Sequence, residues 1–487
     1  MWGKVIRTIS YLKFRQLFYQ IWYRLIKPGF VAIEAPVASL PQLRTTPISK
    51  ACCINEDRFT FLNREIKFSG WNCTDFGMLW AYNQNYFDWI NQSKINVDEC
   101  CSWIDRFIDE LNGNKVGLDP YPTALRSINW IKFLCQHPEC VTKVRLDSLY
   151  SQIMLLDRKL EYHLMANHLL EDAFALYIGA KFFCDDVLID KAYRLLSSQL
   201  KEQILSDGAH YEQSPMYHCI ILDRLLDCIN ISKECEEWLE TYANRMLGHL
   251  QSIIWSNGDI PLLNDSANGI APTPLQIFEY AKRLNLKWDT IPMKDCGYRK
   301  MYGCGIEAIV DIGNVTADYQ PGHTHADTFN YELRIDGKPF VVDTGVSTYD
   351  KTERRQMERS TIAHNTVSVG GENSSEVWGG FRVGKRCHVN ITEITDTSIE
   401  ASHNGFEKKC CRRFEIKNGA FLVNDKYDGE AVSYIHLAEG VDEKHITIEG
   451  ADKIEVKPWK YSTTYNQFRD GKVIEICFKG ELRYTIQ

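Results

Sequence analysis

The sequence predicts two unlike parts, a helical layer built as a bundle or a toroid of helical hairpins and then an antiparallel β-sandwich. At 487 residues the chain is too long for one ordinary domain. Apolar residues recur at three- and four-residue spacing between about 75 and 290, and short alternating runs follow after about 295. We therefore expect three segments, residues 1–70, 71–294 and 295–487.

The first segment begins "MWGKVIRTISYLKFRQLFYQIWYRLIKPGF", in which the apolar residues fall at helical spacing and every charged residue is basic. This pattern indicates a basic amphipathic helix, and a Pro-punctuated irregular stretch follows it to about residue 70. The helix either docks on its own domain or contacts an anionic membrane surface through residues 1–27. Because basic residues interrupt the apolar positions, we expect no secretory signal here.

The second segment is the helical one. The runs "SQIMLLDRKLEYHLMANHLLEDAFALYIGAKFF" and "CEEWLETYANRMLGHLQSIIW" carry the clearest helical periodicity. Strand signals are nearly absent between 75 and 290. "WSNGDIPLLND", from Trp255 to Asp265, breaks the helices with Gly and Pro and predicts a loop. Several long helices of this kind indicate an all-α layer.

The third segment changes texture. "GIEAIVDIG", "FNYELRID", "FVVDTGV", "HNTVSVGG" and "FLVNDKYDG" alternate apolar and polar residues between turn residues. This is typical of an antiparallel sandwich. "DGKP" at 336–339 predicts a tight turn, so the next strand returns at once and ends at Asp343.

Composition and charge exclude several classes of protein. A hydrophobic content of 44% and a charged content of 25% are normal for a globular protein and argue against disorder. A formal net charge of −8 disfavours a nucleic-acid binder, which needs a basic stripe. The 17 cysteines are odd in number and include adjacent pairs such as Cys52–Cys53, Cys100–Cys101 and Cys410–Cys411. We expect mostly reduced, buried thiols, which favours a reducing compartment.

One stretch, "PGHTHADTFNYELRIDGKPFVVDTG" from Pro321 to Gly345, is rich in side chains that bind metals. Strand alternation would place His323, His325 and Asp327 on one face, and the returning strand would bring Asp343. "RSTIAHNTVSV" then supplies His364. Imidazoles and carboxylates brought together in this way predict a divalent-metal site, with zinc first. The alternative is that these polar residues satisfy one another inside the sandwich.

Two stretches of the helical segment carry candidate catalytic residues. "MANHLLEDAFAL" places Asn167 and His168 in an otherwise amphipathic helix, and "DGAHYEQSPMYHCIILDRLL" carries Glu212 and Tyr217 where another helix begins. Ser214-Pro215 has the form of an N-cap followed by Pro at the first helical position, which puts Tyr217 in the first turn. Each residue alone is more often structural, so the combination is what points to a site.

Four pieces of the chain resemble, in order, the heparinase II/III family of polysaccharide lyases. They are "NHLLEDAFAL", "DGAHYEQSPMYH", "GHTHADTFNYELRIDGKPFVVDTGVSTY" and "RSTIAHNTVSVGGENSSEVWGGFRVGKR", between about 160 and 390. The resemblance implies an incomplete (α/α) toroid followed by an antiparallel β-sandwich. It also implies β-elimination at a uronic acid of an acidic polysaccharide such as a heparan sulfate-like, heparosan-like or bacterial surface glycan.

The same resemblance implies roles for individual residues. Asn167 matches the residue that neutralises the uronate carboxylate, and Tyr217 matches the general acid. If the C5 proton lies on the Tyr217 face, Tyr217 alone acts as base and acid; if it lies opposite, His323 is the base. His168 is a further catalytic candidate beside Asn167. The resemblance also implies a structural zinc ion. Its implied ligands are His325, Asp343 and His364.

Anionic groups of the substrate need partners as well. Arginine forms bidentate pairs with carboxylate and sulfate, so Arg359, Arg355 and Arg382 are candidates for binding the substrate, together with Glu212. Pairing of the arginines with neighbouring glutamates is the alternative. The sequence does not give the oligomeric state, and the resemblance implies that a homodimer is one option. We expect a cytoplasmic or inner-membrane-associated location, with the periplasm as the alternative. Two other functions stay open, a non-catalytic glycan-binding or assembly protein and a metal-dependent glycan hydrolase.

Overall fold

The structure, a computed structural model, describes residues 2–51, 53–94 and 96–487. Met1, Cys52 and Ile95 lie outside the described residues. Cys52 belongs to one of the predicted adjacent pairs of cysteines, so that part of the prediction lies outside them too. The helices are α1 (Trp2–Ile9), α2 (Phe14–Leu25), α3 (Met78–Tyr86), α4 (Val97–Asp109), α5 (Pro120–Gln136), α6 (Lys143–Arg158), α7 (Ala166–Phe183), α8 (Asp186–Gln203), α9 (Pro215–Ile231), α10 (Glu237–Ile253), α11 (Pro274–Arg283) and α12 (Glu353–Glu358). The strands are β1 (Ile54–Asn55), β2 (Arg58–Phe61), β3 (Arg64–Lys67), β4 (Tyr298–Gly303), β5 (Ile306–Asp311), β6 (Tyr331–Ile335), β7 (Lys338–Val341), β8 (Val367–Ser368), β9 (Val377–Trp378), β10 (Arg382–Val383), β11 (Val389–Ile394), β12 (Ser398–His403), β13 (Cys410–Lys417), β14 (Ala420–Leu437), β15 (Ile446–Thr464) and β16 (Gln467–Ile486).

Alternate helices of the helical part pack on one another in chain order. α3 contacts α5, α5 contacts α7, α7 contacts α9, and α9 contacts α11, while α6, α8 and α10 pack beside this row. α7 is buried almost all round, which explains why it is apolar on every face and not on one stripe only. The row agrees with the predicted helical hairpins. That this row of helices curves into an incomplete toroid stays a prediction.

A small antiparallel sheet precedes the helices, in the stretch that we expected to be irregular. β1, β2 and β3 pair in sequence order between residues 54 and 67. Phe59 and Phe61 of β2 point into the helical core, where Phe59 contacts Trp89 and Phe61 contacts Trp80. Fully burying one such side chain is worth about 1.5–3 kcal/mol, so these short strands are anchored by their aromatic residues.

The C-terminal part is one large antiparallel sheet centred on the long strand β14. The first half of β14 pairs with β13, which continues into β12 and β11. Its second half pairs with β8 and with β7, and β7 leads to β6, β5 and β4. β16 runs along the other edge of β14 and pairs with β15. The prediction of antiparallel strands is confirmed. β4–β8 and β11–β16 form one hydrogen-bonded network, because β14 is long enough to belong to both groups, and β9 and β10 pair apart from it. The predicted sandwich stays a prediction about how this sheet packs on itself.

The hairpin predicted around "DGKP" is confirmed. β6 and β7 are antiparallel and join at Asp336 and Gly337, and Asp343 lies two residues beyond the end of β7. One part of the prediction is wrong. Residues 321–330, which carry His323, His325 and Asp327, form no strand and run as a fully buried loop before β6. Strand alternation therefore does not explain how these residues are placed.

The N-terminal segment forms two helices where the sequence suggested one. α1 and α2 are separated by residues 10–13, and both pack on the rest of the chain. Gln16 is buried and donates hydrogen bonds to the carbonyl oxygens of Leu164 and Tyr319. Tyr23 donates to the carbonyl oxygen of Leu160 at 2.6 Å. None of the helices in the described residues is both long enough and apolar enough to cross a bilayer.

Candidate active site

A cavity of about 420 Å³ is lined by residues of both the helical part and the sheet part. Asn167 and Tyr217 come from helices, and His323 and Tyr349 come from loops of the sheet part. The lining also includes six tyrosines, Tyr82, Tyr86, Tyr121, Tyr217, Tyr349 and Tyr465. Aromatic walls with a few convergent polar groups are typical of a site that binds a small ligand or a sugar.

Asn167 is the second residue of α7, and a carboxylate holds its side chain. Met165 and Ala166 have φ values of 61° and 52°, so the chain turns sharply just before Asn167. The Asn167 amide donates to Oε1 and Oε2 of Glu212 at 3.0 and 2.9 Å. Glu212 is only 2% exposed. It borders the cavity, but both of its oxygens are taken by Asn167, so in this structure Glu212 orients the amide.

Tyr217 is the third residue of α9, as its sequence context predicted. The Ser214 hydroxyl accepts a hydrogen bond from the Tyr217 backbone N–H at 3.2 Å, and Pro215 begins the helix. The Tyr217 ring stacks on the His323 imidazole with a centroid distance of 3.9 Å. Burial raises the pKa of the Tyr217 phenol above its usual range, and the nearby carboxylates raise it further. Tyr217 is therefore protonated at neutral pH and is suited to donate a proton.

The His323 imidazole lies between an amide and a carboxylate. Its Nε2 is 3.3 Å from the Asn167 Nδ2, and its Nδ1 is 2.9 Å from the Asp265 Oδ2. Because an amide nitrogen can only donate, Nε2 is the acceptor in the first contact. Nδ1 then carries the proton and donates it to Asp265. This tautomer leaves an unprotonated nitrogen on the side of Asn167, as a general base requires.

Asp265 contacts several side chains of the site at once, which the sequence did not predict. Its carboxylate is fully buried and contacts His323, His325 and Arg355 at once. Burial alone would raise the pKa of Asp265, but the Arg355 guanidinium and the two histidines hold it well below its usual range. A permanently ionised Asp265 fixes the orientation of the His323 ring. We therefore count Asp265 as a positioning residue.

Tyr349 is a second residue that the sequence reasoning did not single out. Its hydroxyl donates to the Tyr217 hydroxyl at 3.4 Å and lies 3.5 Å from the His323 Nδ1. Because the Tyr217 oxygen accepts from Tyr349, the Tyr217 proton is free to point elsewhere. The available signal was the quoted block that ends "GVSTY", whose last residue is Tyr349. For Asp265 no signal existed beyond its place in the predicted loop.

His168 also borders the cavity. Its Nδ1 lies 2.9 Å from Glu161, and its ring packs on Tyr121 with a centroid distance of 4.7 Å. Burial lowers the pKa of His168, but the Glu161 carboxylate outweighs this effect, and the net shift is upward. The structure therefore places His168 in the cavity lining, paired with the Glu161 carboxylate.

The three predicted zinc ligands lie near one another, but their side chains do not all contact one another. His364 Nδ1 is 2.7 Å from the Asp343 Oδ2, whereas His325 Nε2 contacts Asp265 at 2.8 Å. The His325 Nδ1 and the His364 Nε2 are buried without a hydrogen-bond partner. The centroids of the two imidazole rings are 5.2 Å apart. Gly345, at φ +69°, donates its N–H to Asp343. Two unpartnered imidazole nitrogens and a carboxylate are donors of the type that zinc prefers.

A different cluster places its donor atoms closer together. In the described part of the chain, Asp207, His249 and Cys296 each offer one atom within 4.8 Å of the others, and all three are buried. The Asp207 carboxylate already accepts from the backbone N–H groups of Lys294 and Cys296. These bonds account for Asp207 as a group that anchors the loop before β4.

None of the three arginines predicted to bind substrate faces the cavity. Arg355 is fully buried against Asp265, and Arg359 is fully buried and donates to the Thr324 carbonyl oxygen at 2.8 Å. Arg382 is exposed and lies over the Trp378 ring. Arg355 and Arg359 are structural here, because their buried donors already have protein acceptors.

Two other cations border the cavity instead. Lys50 pairs with Asp88 at 2.8 Å, and Arg224 pairs with Asp223 at 2.9 Å. Arg224 lies within the helical run "CIILDRLLD" of α9. Each of these side chains would contact an anionic ligand while it keeps the ion pair with its own carboxylate.

Two models of known protein families match the chain one after the other. A family model described as "Heparinase II/III N-terminus" matches residues 146–281, and one described as "Heparinase II/III-like, C-terminal" matches residues 285–481. A curated heparin-sulfate lyase of Pedobacter heparinus is 25% identical over 316 residues. The match covers 58% of this chain and 45% of that protein, so the chain spans less than half the length of its curated relative.

Solved structures are similar in fold. The crystal structure of a heparinase III matches with a TM-score of 0.61 and 17% identity, over 84% of this chain and 75% of that chain. A mutant of the heparan sulfate lyase HepC from Pedobacter heparinus matches with a TM-score of 0.55 and 16% identity, over 97% and 87% of the two chains. At these identities the match concerns the fold. The helical part followed by a large antiparallel sheet is thus shared with these proteins.

Proposed function

The chain belongs to the heparinase II/III family, and on that premise we propose that it is a polysaccharide lyase that cleaves an acidic, uronate-containing glycan by β-elimination. A base removes the C5 proton of the uronate, the C4–O bond breaks, and the new C4=C5 double bond stays on the uronate. The leaving oxygen takes a proton from an acid. The observation that carries the proposal is that Asn167, His323 and Tyr217 meet at one wall of the cavity.

Asn167 neutralises the uronate carboxylate in this proposal. Removal of the C5 proton pushes electrons toward that carboxylate, so a donor fixed beside it stabilises the intermediate. Glu212 fixes one end of the Asn167 amide. The amide hydrogen that reaches the His323 Nε2 in this structure is the one available to a bound carboxylate. Once it turns to the substrate, the His323 Nε2 is released for the proton transfer.

His323 is the base and Tyr217 is the acid. The Asp265 carboxylate holds the proton on Nδ1 of His323, which directs the basic Nε2 toward the position of the substrate. Tyr217 keeps its proton at neutral pH because its pKa is raised. It can therefore deliver the proton to the leaving oxygen. The stacked rings hold base and acid together, as a transfer at neighbouring sugar atoms requires.

We further propose a structural zinc ion held by His325, Asp343 and His364. Zinc there would supply rigidity, since it would tie the loop of residues 321–330 to the end of β7. The support is the pair of unpartnered imidazole nitrogens described above. No proton transfer in the proposed reaction depends on the ion.

The test is the ultraviolet absorbance of an unsaturated uronate during incubation with a panel of uronate glycans. The panel contains heparosan, heparan sulfate, hyaluronan, alginate and capsular polysaccharides. We expect a rise with the wild-type protein and a loss of at least about 100-fold with Tyr217→Phe, because general acid catalysis is removed. Tyr177→Phe is the matched control, since Tyr177 is a buried tyrosine of α7 whose hydroxyl contacts Ser232. A rise that survives Tyr217→Phe would contradict the assignment of the acid.

A further inference from the structure

The two N-terminal helices pack on the protein through polar side chains and leave their apolar sides uncovered. In α2 the side chains that contact the body include Gln16, Tyr19 and Tyr23. The opposite side of α2 carries large apolar side chains that are 41–81% exposed. They are Phe14, Phe18, Ile21, Trp22 and Leu25. A surface helix of a globular protein normally does the reverse.

α1 repeats this arrangement. Arg7 forms an ion pair with Glu376, and the Thr8 hydroxyl accepts a hydrogen bond from the Trp378 indole, so its polar residues contact the body. Trp2, Ile6 and Ile9, which follow one another at helical spacing, are 80%, 65% and 46% exposed. The two helices thus present one kind of uncovered surface. We call these eight exposed apolar residues of α1 and α2 the apolar face.

The charges that residues 2–27 themselves carry are all positive. No acidic residue occurs before Glu34, whereas Lys4, Arg7, Lys13, Arg15, Arg24 and Lys27 are basic. Arg7 and Lys13 pair with carboxylates of the body, and Arg15 lies over the Tyr162 ring. Lys4, Arg24 and Lys27 are exposed and make no ion pair in the described part of the chain.

An apolar surface rimmed by unpaired cations fits an anionic lipid bilayer. Tryptophan and phenylalanine insert at the level of the lipid headgroups, and lysine and arginine bind the negative headgroups. The chain as a whole carries −8, so a protein surface chosen at random would be repelled by such a membrane. We propose that residues 2–27 are a peripheral membrane-binding element that lies in the surface of an anionic bilayer. The proposal is independent of the proposed lyase activity.

The experiment is co-sedimentation of the full chain with vesicles of phosphatidylcholine that contain roughly one-third phosphatidylglycerol. We expect binding to these vesicles, little binding to pure phosphatidylcholine, and weakening in high salt because the electrostatic part is screened. Ile21→Glu with Trp22→Glu should weaken binding at least about tenfold, since it puts charge into the apolar face. Both positions are solvent-exposed, so the double variant should fold, and circular dichroism checks this.

The matched control is Val187→Glu, which adds a charge at an exposed valine of α8. It should bind vesicles like the wild-type protein. The proposal is overturned if the wild-type chain does not bind anionic vesicles, or if the double variant binds them equally well. It is also overturned if light scattering shows a dimer that the double variant dissociates, because a second copy would then cover the apolar face.

Discussion

Replacing Asp265 with Asn tests the central contact of the site. Asp265 is fully buried, and its carboxylate contacts the Arg355 guanidinium and one nitrogen each of His323 and His325. The variant keeps the shape of the side chain but removes its charge. Arg355, itself fully buried, then has no carboxylate beside it. Breaking a buried ion pair by changing one partner costs about 3–5 kcal/mol of unfolding free energy.

The same change should affect the reaction. An amide in place of the carboxylate no longer fixes the proton on the His323 Nδ1, so the ring loses both its tautomer and its orientation. We expect kcat to fall about 10²–10⁴-fold, in the range seen when the carboxylate partner of a catalytic histidine is replaced. Activity is measured by the ultraviolet assay on the responding glycan, and stability by urea unfolding followed by circular dichroism.

A second buried pair in the same chain separates the two effects. Asp425 and Arg412 of the sheet are fully buried and form the same two-point contact, and neither of them lines the cavity. Asp425→Asn should lower the unfolding free energy by a similar amount and leave kcat of the folded fraction within about threefold of wild type. Adding Arg355→Met to Asp265→Asn should recover stability, because no uncompensated charge is left, but not kcat.

The reasoning would be refuted by either of two results. One is a kcat of Asp265→Asn within about threefold of wild type at equal folded fraction, since the carboxylate would then not control His323. The other is an equal loss of kcat in Asp425→Asn, since the effect of Asp265 would then be a loss of stability alone.

Two further predictions concern pH and metal. Burial raises the pKa of Glu171 to about 7, and neither of its carboxyl oxygens has a hydrogen bond. The folded state therefore holds a proton on Glu171 that the unfolded state releases near the ordinary pKa of a glutamate. Its contribution to stability is therefore present below about pH 4.5 and is lost as pH rises toward 7. Glu171→Gln should raise the urea midpoint at pH 8 and leave it nearly unchanged at pH 4, and an equal gain at both pH values would count against a shifted carboxyl. If zinc binds at His325, Asp343 and His364, elemental analysis should find the metal, and chelation should lower the melting temperature by several degrees before it lowers initial rates. His364→Ala should abolish both the metal content and the effect of the chelator, and a protein without metal that melts at the same temperature would end the zinc proposal.

Much of the architecture could be read from periodicity and turn residues. The helical spacing between 75 and 290 and the alternation after 295 both arise from local burial, which is why they identify α3–α11 and the later strands. The short strands β1–β3 were missed because they are too short to alternate visibly and are held by distant aromatic contacts. The loop of residues 321–330 was mistaken for a strand because His323, His325 and Asp327 recur at every second position, as on one face of a strand, although every residue of the loop is buried.

The site was only partly predictable for a related reason. Asn167, Tyr217 and His323 could be found because family motifs carry them, and the structure brings them to one cavity wall. Arg355 and Arg359 have acceptors within the protein and do not line the cavity, which the sequence could not show, because a charge in the sequence does not reveal whether its partner comes from the protein. Arg355 finds Asp265, which is 90 residues away. Contacts between distant loops leave no local pattern.

That contact also has a consequence for protein engineering. Asp265 lies in the loop before α11, on the N-terminal side of the junction between Arg283 and Tyr298, and all three of its partners lie on the C-terminal side. A chimera that joins the helical half of one relative to the sheet half of another would be cut at this junction. Such a cut would leave either a buried carboxylate or a buried guanidinium alone whenever the two parents differ at one of these positions. The two halves should therefore be exchangeable only between parents that share the whole set.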